Sequence, residues 1–303
     1  MNIKDLNTDI LSTLFCAAAE MIDDSGEDSF FYSAHENSAV AAVFDGCGGI
    51  GSRRYMNYSG KTGAFIGARA ACGGVERWFN TSEKPRELKE YIKCALDKCK
   101  KFGDSGGRLT GSLGKAFPTT AAIVYTRYDK AFLDITCMWA GDSRCCMLDS
   151  DGLHQISKDD IALGDALSNI SGDGVLTNVI CADSDFEIHM RNIKYERPCI
   201  LFSATDGCFG YLDTPMEFEK IILDTLTDAA SIADWNAALS KKTGEYAGDD
   251  YTMCVSAFGY RSFECMKDEF AKRRDKFYSE YQNSSDSKEE SWEKYKIEYY
   301  KYS

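Results

Sequence analysis

The stretch Val40–Gly49, VAAVFDGCGG, decides how the rest of the chain is read. An apolar run of strand length, Val40 to Phe44, ends on Asp45 and then on three glycines within four residues. A strand buried on both faces reads as such a continuous run. The glycines let the backbone turn sharply and approach a neighbour closely. Asp45 is left at the strand's end, where a carboxylate can project from a rigid support into a cleft. A lone Asp-Gly is ordinarily a solvated turn. Here the pattern recurs: CILFSATDG, Cys199–Gly207, delivers Asp206 to a glycine in the same way. Two carboxylates presented like this point to a metal site.

The totals set bounds on the search. With 303 residues, the chain has room for one large domain or two small ones and an ample core. A hydrophobic content of 44% with 27% charged residues is that of a soluble globular protein. The formal net charge of −13 makes a nucleic-acid backbone a poor partner. No run approaches the roughly 18–20 apolar residues of a membrane span. The first twenty residues carry Asp5 and Asp9 and lack a basic start followed by a long apolar stretch. The 13 cysteines are odd in number, contain no pair of CxxC motifs, and several (Cys94, Cys99, Cys137, Cys199, Cys254) fall at apolar positions. The expectation is a reducing cytoplasm, free thiols and no zinc.

Taken in order, Ile10, Leu11, Leu14 and Phe15 are spaced for a short amphipathic helix within residues 1–20. Glu27 and Asp28 directly precede the aromatic start Phe30-Phe31-Tyr32, either as a simple turn or as a further carboxylate pair at a strand edge. Helices are expected over Lys61–Phe79 and Pro85–Phe102, the second with proline in its first turn. Gly103–Gly114 is glycine-rich but lacks the lysine and spacing of a P-loop, and reads as a connection. Pro118–Tyr128 and Ala131–Ala140 read as a hairpin turning at Asp129-Lys130. The second strand runs into Gly141-Asp142, and Asp151-Gly152 signals another hairpin. Ser157–Asp173 is polar and reads as a loop with a short helix. After Asp206 come helices from Thr214-Pro215 and over Ser231–Lys242, then Asp249-Asp250 and the strand Tyr251–Phe258. No linker or repeat divides the chain, so one domain over 1–260 is expected, followed by a charged helical extension over 261–303.

Carboxylates thus stand at strand termini in four separated places, Glu27 with Asp28, Asp45, Asp206 and Asp249, with Asp142 a fifth candidate. An oxygen donor set without histidine favours magnesium or manganese over zinc. His35, His154 and His189 are too few and too scattered for a histidine-led site or triad. Two hard cations sharing a carboxylate can activate water for in-line attack on phosphorus and neutralise charge on the phosphoryl oxygens.

The order of motifs resembles that of the metal-dependent protein phosphatases, the type 2C (PPM) serine/threonine phosphatases, over roughly residues 15–260. The matching stretches are GEDSFFY at Gly26–Tyr32, VFDGCGG at Val43–Gly49, FPTTAAIVY at Phe117–Tyr125, WAGDSRC at Trp139–Cys145, LTNVI at Leu176–Ile180, LFSATDG at Leu201–Gly207 and GDDYTMCV at Gly248–Val255. The resemblance, to a member of bacterial type, implies an α+β fold: a four-layer α-β-β-α sandwich of two antiparallel sheets flanked by helices. It implies a dinuclear Mn2+ or Mg2+ centre at one end, with Asp45 bridging both ions, the Gly46 carbonyl on one, and Asp206 and Asp249 on the other. Glu27 and Asp28 would support the site, and Asp142 would contribute to a third, weaker position. Asp45 and Asp206 would carry catalysis, the hydrolysis of phosphoserine or phosphothreonine in proteins by metal-activated water. A cognate serine/threonine kinase is a further candidate partner.

Three departures from the family pattern bear on activity. Cys47 stands where many members have a histidine. Asp23 stands where a phosphate-binding arginine is expected, with Arg53 or Arg54 as substitutes. Gly210 replaces an aspartate of the third metal position. The segment between Asp160 and Leu176 is also short, which implies a reduced substrate-side flap. These departures motivate the alternative of a weak or inactive phosphatase-like module that binds phosphoproteins or a partner kinase. A hydrolase of small phosphoesters is a third reading that nothing in the sequence selects.

Overall fold

The computed structural model describes residues 10–103, 114–129, 131–162, 175–283 and 285–303. Val40–Phe44 is the body of a strand, β3 (Ser38–Phe44), buried along its whole length. Val40, Ala42 and Phe44 face one apolar cluster while Ala39, Ala41 and Val43 face another. That two-sided burial is why the segment reads as an unbroken apolar run rather than an alternation.

With labels following chain order, β3 belongs to a sheet with β2 (Ser29–His35), β6 (Ala121–Tyr128), β7 (Leu133–Ala140) and β10 (His189–Tyr195), arranged β10-β7-β6-β3-β2. The second sheet contains β1 (Leu11–Ala19), β8 (Arg144–Leu148), β9 (Leu153–Gln155), β11 (Cys199–Ala204) and β12 (Tyr251–Phe258), arranged β1-β12-β11-β8-β9. All pairings in both sheets are antiparallel. Ala41, Val43, Val124, Ile135 and Cys137 meet Cys145, Met147, Leu201, Cys254 and Phe258 between the sheets. A two-stranded ribbon, β4 (Arg54–Tyr55) with β5 (Lys61–Thr62), stands apart from both.

Helices cover the outer faces. A single turn, α1 (Gly48–Gly51), follows Asp45; α2 (Gly63–Thr81) and α3 (Leu88–Gly103) pack Ala68, Val75, Trp78, Ile92 and Leu96 on the first sheet. Pro85 sits in a 3-10 turn just ahead of α3. On the second sheet lie α4 (Pro215–Asp228), capped by the Thr214 hydroxyl, and α5 (Ile232–Gly244), capped by Ser231. Beside them lie α6 (Phe263–Phe277) and α7 (Lys288–Tyr299). The fold is therefore α+β, two antiparallel sheets sandwiched between helical layers, as expected.

Residues 261–303 are charged at the surface, yet Phe270, Phe277, Trp292, Tyr295 and Tyr299 are buried in the same cluster as Phe202 and Val255. Glu219, fully buried on α4, accepts from Arg273 Nε at 2.7 Å and Nη2 at 3.2 Å, and from the Tyr295 hydroxyl at 2.6 Å.

The helix expected near the N-terminus is a strand instead. β1 pairs with β12 along its length, with Phe15 and Ala17 on the helical side and Leu14 and Cys16 between the sheets. A register shift between Leu11 and Thr13 turns Leu11 to the inner face too. Apolar residues on both faces plus a bulge imitate helical spacing. The expected glycine-rich connection at 103–114 and the loop with a short helix at 157–173 fall largely outside the described residues, as does Lys130 of the β6–β7 turn. Among the described residues no helix is long and apolar enough to cross a membrane. All thirteen cysteines are free thiols.

Candidate metal centre

The loops before and after these strands bring the predicted carboxylates close enough for the charges of Asp206, Asp28, Asp142 and Asp249 to act on Asp45. Asp45 follows β3, and its carbonyl is fixed by the Thr119 hydroxyl at 2.7 Å and the Thr120 N–H at 2.8 Å. Gly46 passes so close to α2 and the acidic loop that a Cβ there would lie 2.8 Å from the Ala64 carbonyl oxygen and 2.9 Å from Glu27 Cβ. Asp206 leaves β11 into the 3-10 turn Asp206–Cys208. At Gly207 a Cβ would stand 2.0 Å from the Asp250 carbonyl oxygen, so only glycine lets these two loops touch.

Asp28, just ahead of β2, is keyed to the other sheet. Its Oδ2 accepts from the Thr205 hydroxyl at 2.9 Å, and that hydroxyl accepts from the Thr252 N–H at 2.9 Å. Glu27 accepts a short hydrogen bond from the Thr62 hydroxyl, which also caps α2 by accepting from the Phe65 N–H. Asp250 accepts from the Glu27 N–H at 2.7 Å and the Met21 N–H at 2.8 Å, which ties the acidic loop to the start of β12. Asp249 is exposed and accepts from the Asp250 N–H. Asp142 follows β7, and its Oδ1 is buried without a hydrogen-bond partner.

The electrostatics place these groups in one field. Burial pushes the Asp45 carboxyl well above the usual carboxylate range, and the charges of Asp206, Asp28, Asp142 and Asp249 push it further. Asp28 rises to about 7, first by burial and then through Asp250 and Asp206, against the hydrogen bonds from Thr252 and Thr205. Asp142 rises to about 7 through burial, Asp206 and Asp159. Asp206 is raised by burial and Asp249, and Glu27 chiefly by burial. Like charges held together disfavour one another's ionisation.

Among the described residues no group of three or more His, Cys, Asp or Glu side chains stands where it could hold a metal ion as it is. The donor chemistry nonetheless fits hard divalent cations. It offers carboxylates that raise one another's pKa and a buried Asp142 oxygen without a donor, while His189 is held by Asp160 at 2.9 Å.

Several supporting residues escaped the sequence reading. Thr62, Thr205 and Asp250 orient Glu27 and Asp28. Asp160 accepts from the Gly141 N–H at 3.0 Å and pins the Asp142 loop. The Asp249-Asp250 doublet was the only visible signal among them. Asp23 lies on an exposed turn, and burial, then Asp45, Asp142 and Asp206, lift the Cys47 thiol well above its usual range.

By sequence, no family profile and no curated protein matches the chain. By structure it is similar to Staphylococcus aureus serine/threonine phosphatase Stp1, at 13% identity and a TM-score of 0.57, over 83% of this chain and 98% of that one. It is also similar to the PPM Ser-Thr phosphatase MsPP from Mycobacterium smegmatis, at 13% identity and a TM-score of 0.56, over 82% and 98% of the two chains. The catalytic domain of serine/threonine protein phosphatase PstP in complex with two manganese ions aligns at 12% identity and a TM-score of 0.56, over 82% and 99%. At such identities the likeness speaks for architecture: this chain has the fold of the metal-dependent PPM serine/threonine phosphatases.

Proposed function

We propose that the chain is a protein serine/threonine phosphatase that hydrolyses phosphoserine and phosphothreonine with Mn2+ or Mg2+. The observation that supports this reading is that Asp45 and Asp206 stand at the ends of β3 and β11 in loops that Gly46 and Gly207 bring against those of Glu27 and Asp250. Without cations such a cluster costs stability, and a binding module has no need of it. The phosphatase neighbours, one of them holding two manganese ions, support the same reading.

Asp45, the Gly46 carbonyl, Asp206 and Asp249 would hold the two ions, with Glu27 and Asp28 supporting them and Asp142 serving a weaker third position. When bound, such ions supply an activated water and neutralise charge developing on the phosphoryl oxygens. The chain's own part is orientation. Thr205 and Thr252 aim the Asp28 carboxylate, Thr62 aims Glu27, and Thr119 with Thr120 fixes the Asp45 carbonyl. With Cys47 in place of a histidine, solvent delivers the proton to the departing serine or threonine oxygen. A cognate serine/threonine kinase would make the substrates.

The test is hydrolysis of a phosphothreonine peptide with and without Mn2+, with Asp206→Asn as control. Manganese-dependent release that disappears in the variant is the expected result. No release from folded, metal-loaded protein that still binds the phosphopeptide would move the reading to a phosphoprotein-binding module. That second reading draws on Asp23 and Gly210 standing where the family pattern has an arginine and an aspartate.

A further inference from the structure

We propose that Arg54, carried on the β4–β5 ribbon, binds the phosphoryl group of the substrate and takes the place left by Asp23. The inference rests on the phosphatase reading and narrows it to one residue that the sequence left paired with Arg53.

The ribbon's register separates the two arginines. Arg54 lies opposite Thr62, and Tyr55 opposite Lys61. Directly opposed residues in an antiparallel pair project from the same face. Thr62 donates to the Glu27 carboxylate, so the Arg54 face is the one turned to the acidic edge. Arg53 takes the other face, with its guanidinium 4.9 Å from the centre of the Tyr55 ring, and Tyr55 packs on Phe117.

Arg54 is exposed, and its Nη1 donates to the Gly60 carbonyl at 2.9 Å, which closes the ribbon and restrains the guanidinium. That bond uses one of the five donors of the group. Lys61 is committed elsewhere, with Nζ on the Asp24 carbonyl at 2.6 Å and over the Phe65 ring. A phosphomonoester dianion approaching a cluster of carboxylates needs a cation at the rim that can grip its oxygens in pairs. A planar guanidinium does this where an ammonium serves only as a point charge.

The experiment uses the full chain with saturating Mn2+ and a phosphothreonine peptide. Arg54→Ala is expected to raise KM and the inhibition constant of inorganic phosphate by about tenfold each, the loss of a charge-assisted grip, with kcat within about twofold. Arg54→Lys recovers part of the loss, and Arg53→Ala leaves all three unchanged. Mn2+ affinity by calorimetry stays within about twofold of wild type; a parallel fall in Mn2+ affinity would mean that Arg54 acts through Glu27 and would overturn the assignment. Equal KM and phosphate inhibition in Arg54→Ala and wild type would overturn it too, as would an equal defect in Arg53→Ala.

Should wild type lack turnover, the phosphatase reading fails and calorimetry with inorganic phosphate in Mn2+ decides this one. Binding that is lost in Arg54→Ala supports it. Binding that is absent in wild type, or unaffected by the substitution, overturns it.

Discussion

Replacing Asp142 by asparagine should make the metal-free protein more stable, although it removes a residue of the candidate site. In the folded protein the Asp142 carboxyl sits at about 7 instead of 3.8, raised by burial, by Asp206 and by Asp159. The unfolded chain gives up that proton near 3.8 while the folded chain keeps it. Stability therefore falls as pH rises from the unfolded value through the folded one. At roughly 1.4 kcal/mol for each tenfold change in the proton equilibrium, ionising Asp142 at neutral pH costs up to ~4 kcal/mol. Its neighbours absorb part of this by keeping their own protons, so the asparagine variant should gain about 2 kcal/mol, or roughly 4 °C in Tm.

The assay is urea unfolding in a chelating buffer at pH 7.5, 6 and 5. The variant's advantage should shrink as pH falls, because wild type regains its proton. Saturating Mn2+ should narrow or reverse it, because wild type then gains binding free energy that the variant lacks in part. A variant no more stable than wild type at pH 7.5, or an advantage independent of pH, would refute the account of Asp142 as a member of a repelling cluster.

Other substitutions read other parts of the structure. Arg273→Met strands the buried Glu219 carboxylate and should cost about 3–5 kcal/mol in the urea midpoint, with most of it recovered when Glu219→Leu is added. Trp292→Ala, in a helix whose Trp292, Tyr295 and Tyr299 are buried against the second sheet, should cost about 3–5 kcal/mol; a loss under about 1 would mean that α7 adds little to the fold. Thr205→Val removes the hydroxyl that holds Asp28 and should weaken Mn2+ binding by about 10–100-fold in calorimetry, with the fold retained.

What the sequence disclosed follows from how local the signals are. VAAVF and CILFSA read as strands because each is buried on both faces, and the Asp-Gly at each end marks where the chain leaves the sheet. α4 and α5 announce themselves with Thr214-Pro215 and Ser231. β1 did not, since a bulge and two apolar faces gave it helical spacing. The supporting contacts of the site were invisible for a different reason. Thr62 reaches Glu27 across 35 positions, Asp250 reaches it across 223, and Thr205 reaches Asp28 across 177. A hydroxyl or a second aspartate carries no mark in the sequence of the partner that folding will bring to it.

The same distances explain how the acidic edge survives its own repulsion. The Asp142 loop is gripped from both sides: Asp160 holds the Gly141 N–H, and the buried Arg144 is bonded to Asp159 at 2.7 Å and stacked 4.0 Å from the centre of the Phe209 ring. Tyr299 of α7 lies close enough to Arg144 to feel its charge. Trp292 and Tyr299 of this helix share an apolar cluster with Cys146 and Leu148 of β8, the strand that follows the Asp142 loop. Folding free energy from the three apolar clusters offsets the repulsion at these strand ends. Single Asp→Asn steps at Asp45, Asp142 or Asp206 would relieve part of that repulsion in the absence of metal. Under the proposed function, divalent cations would offset the burial and repulsion that raise the carboxyls of Asp45, Asp28, Asp142 and Asp206.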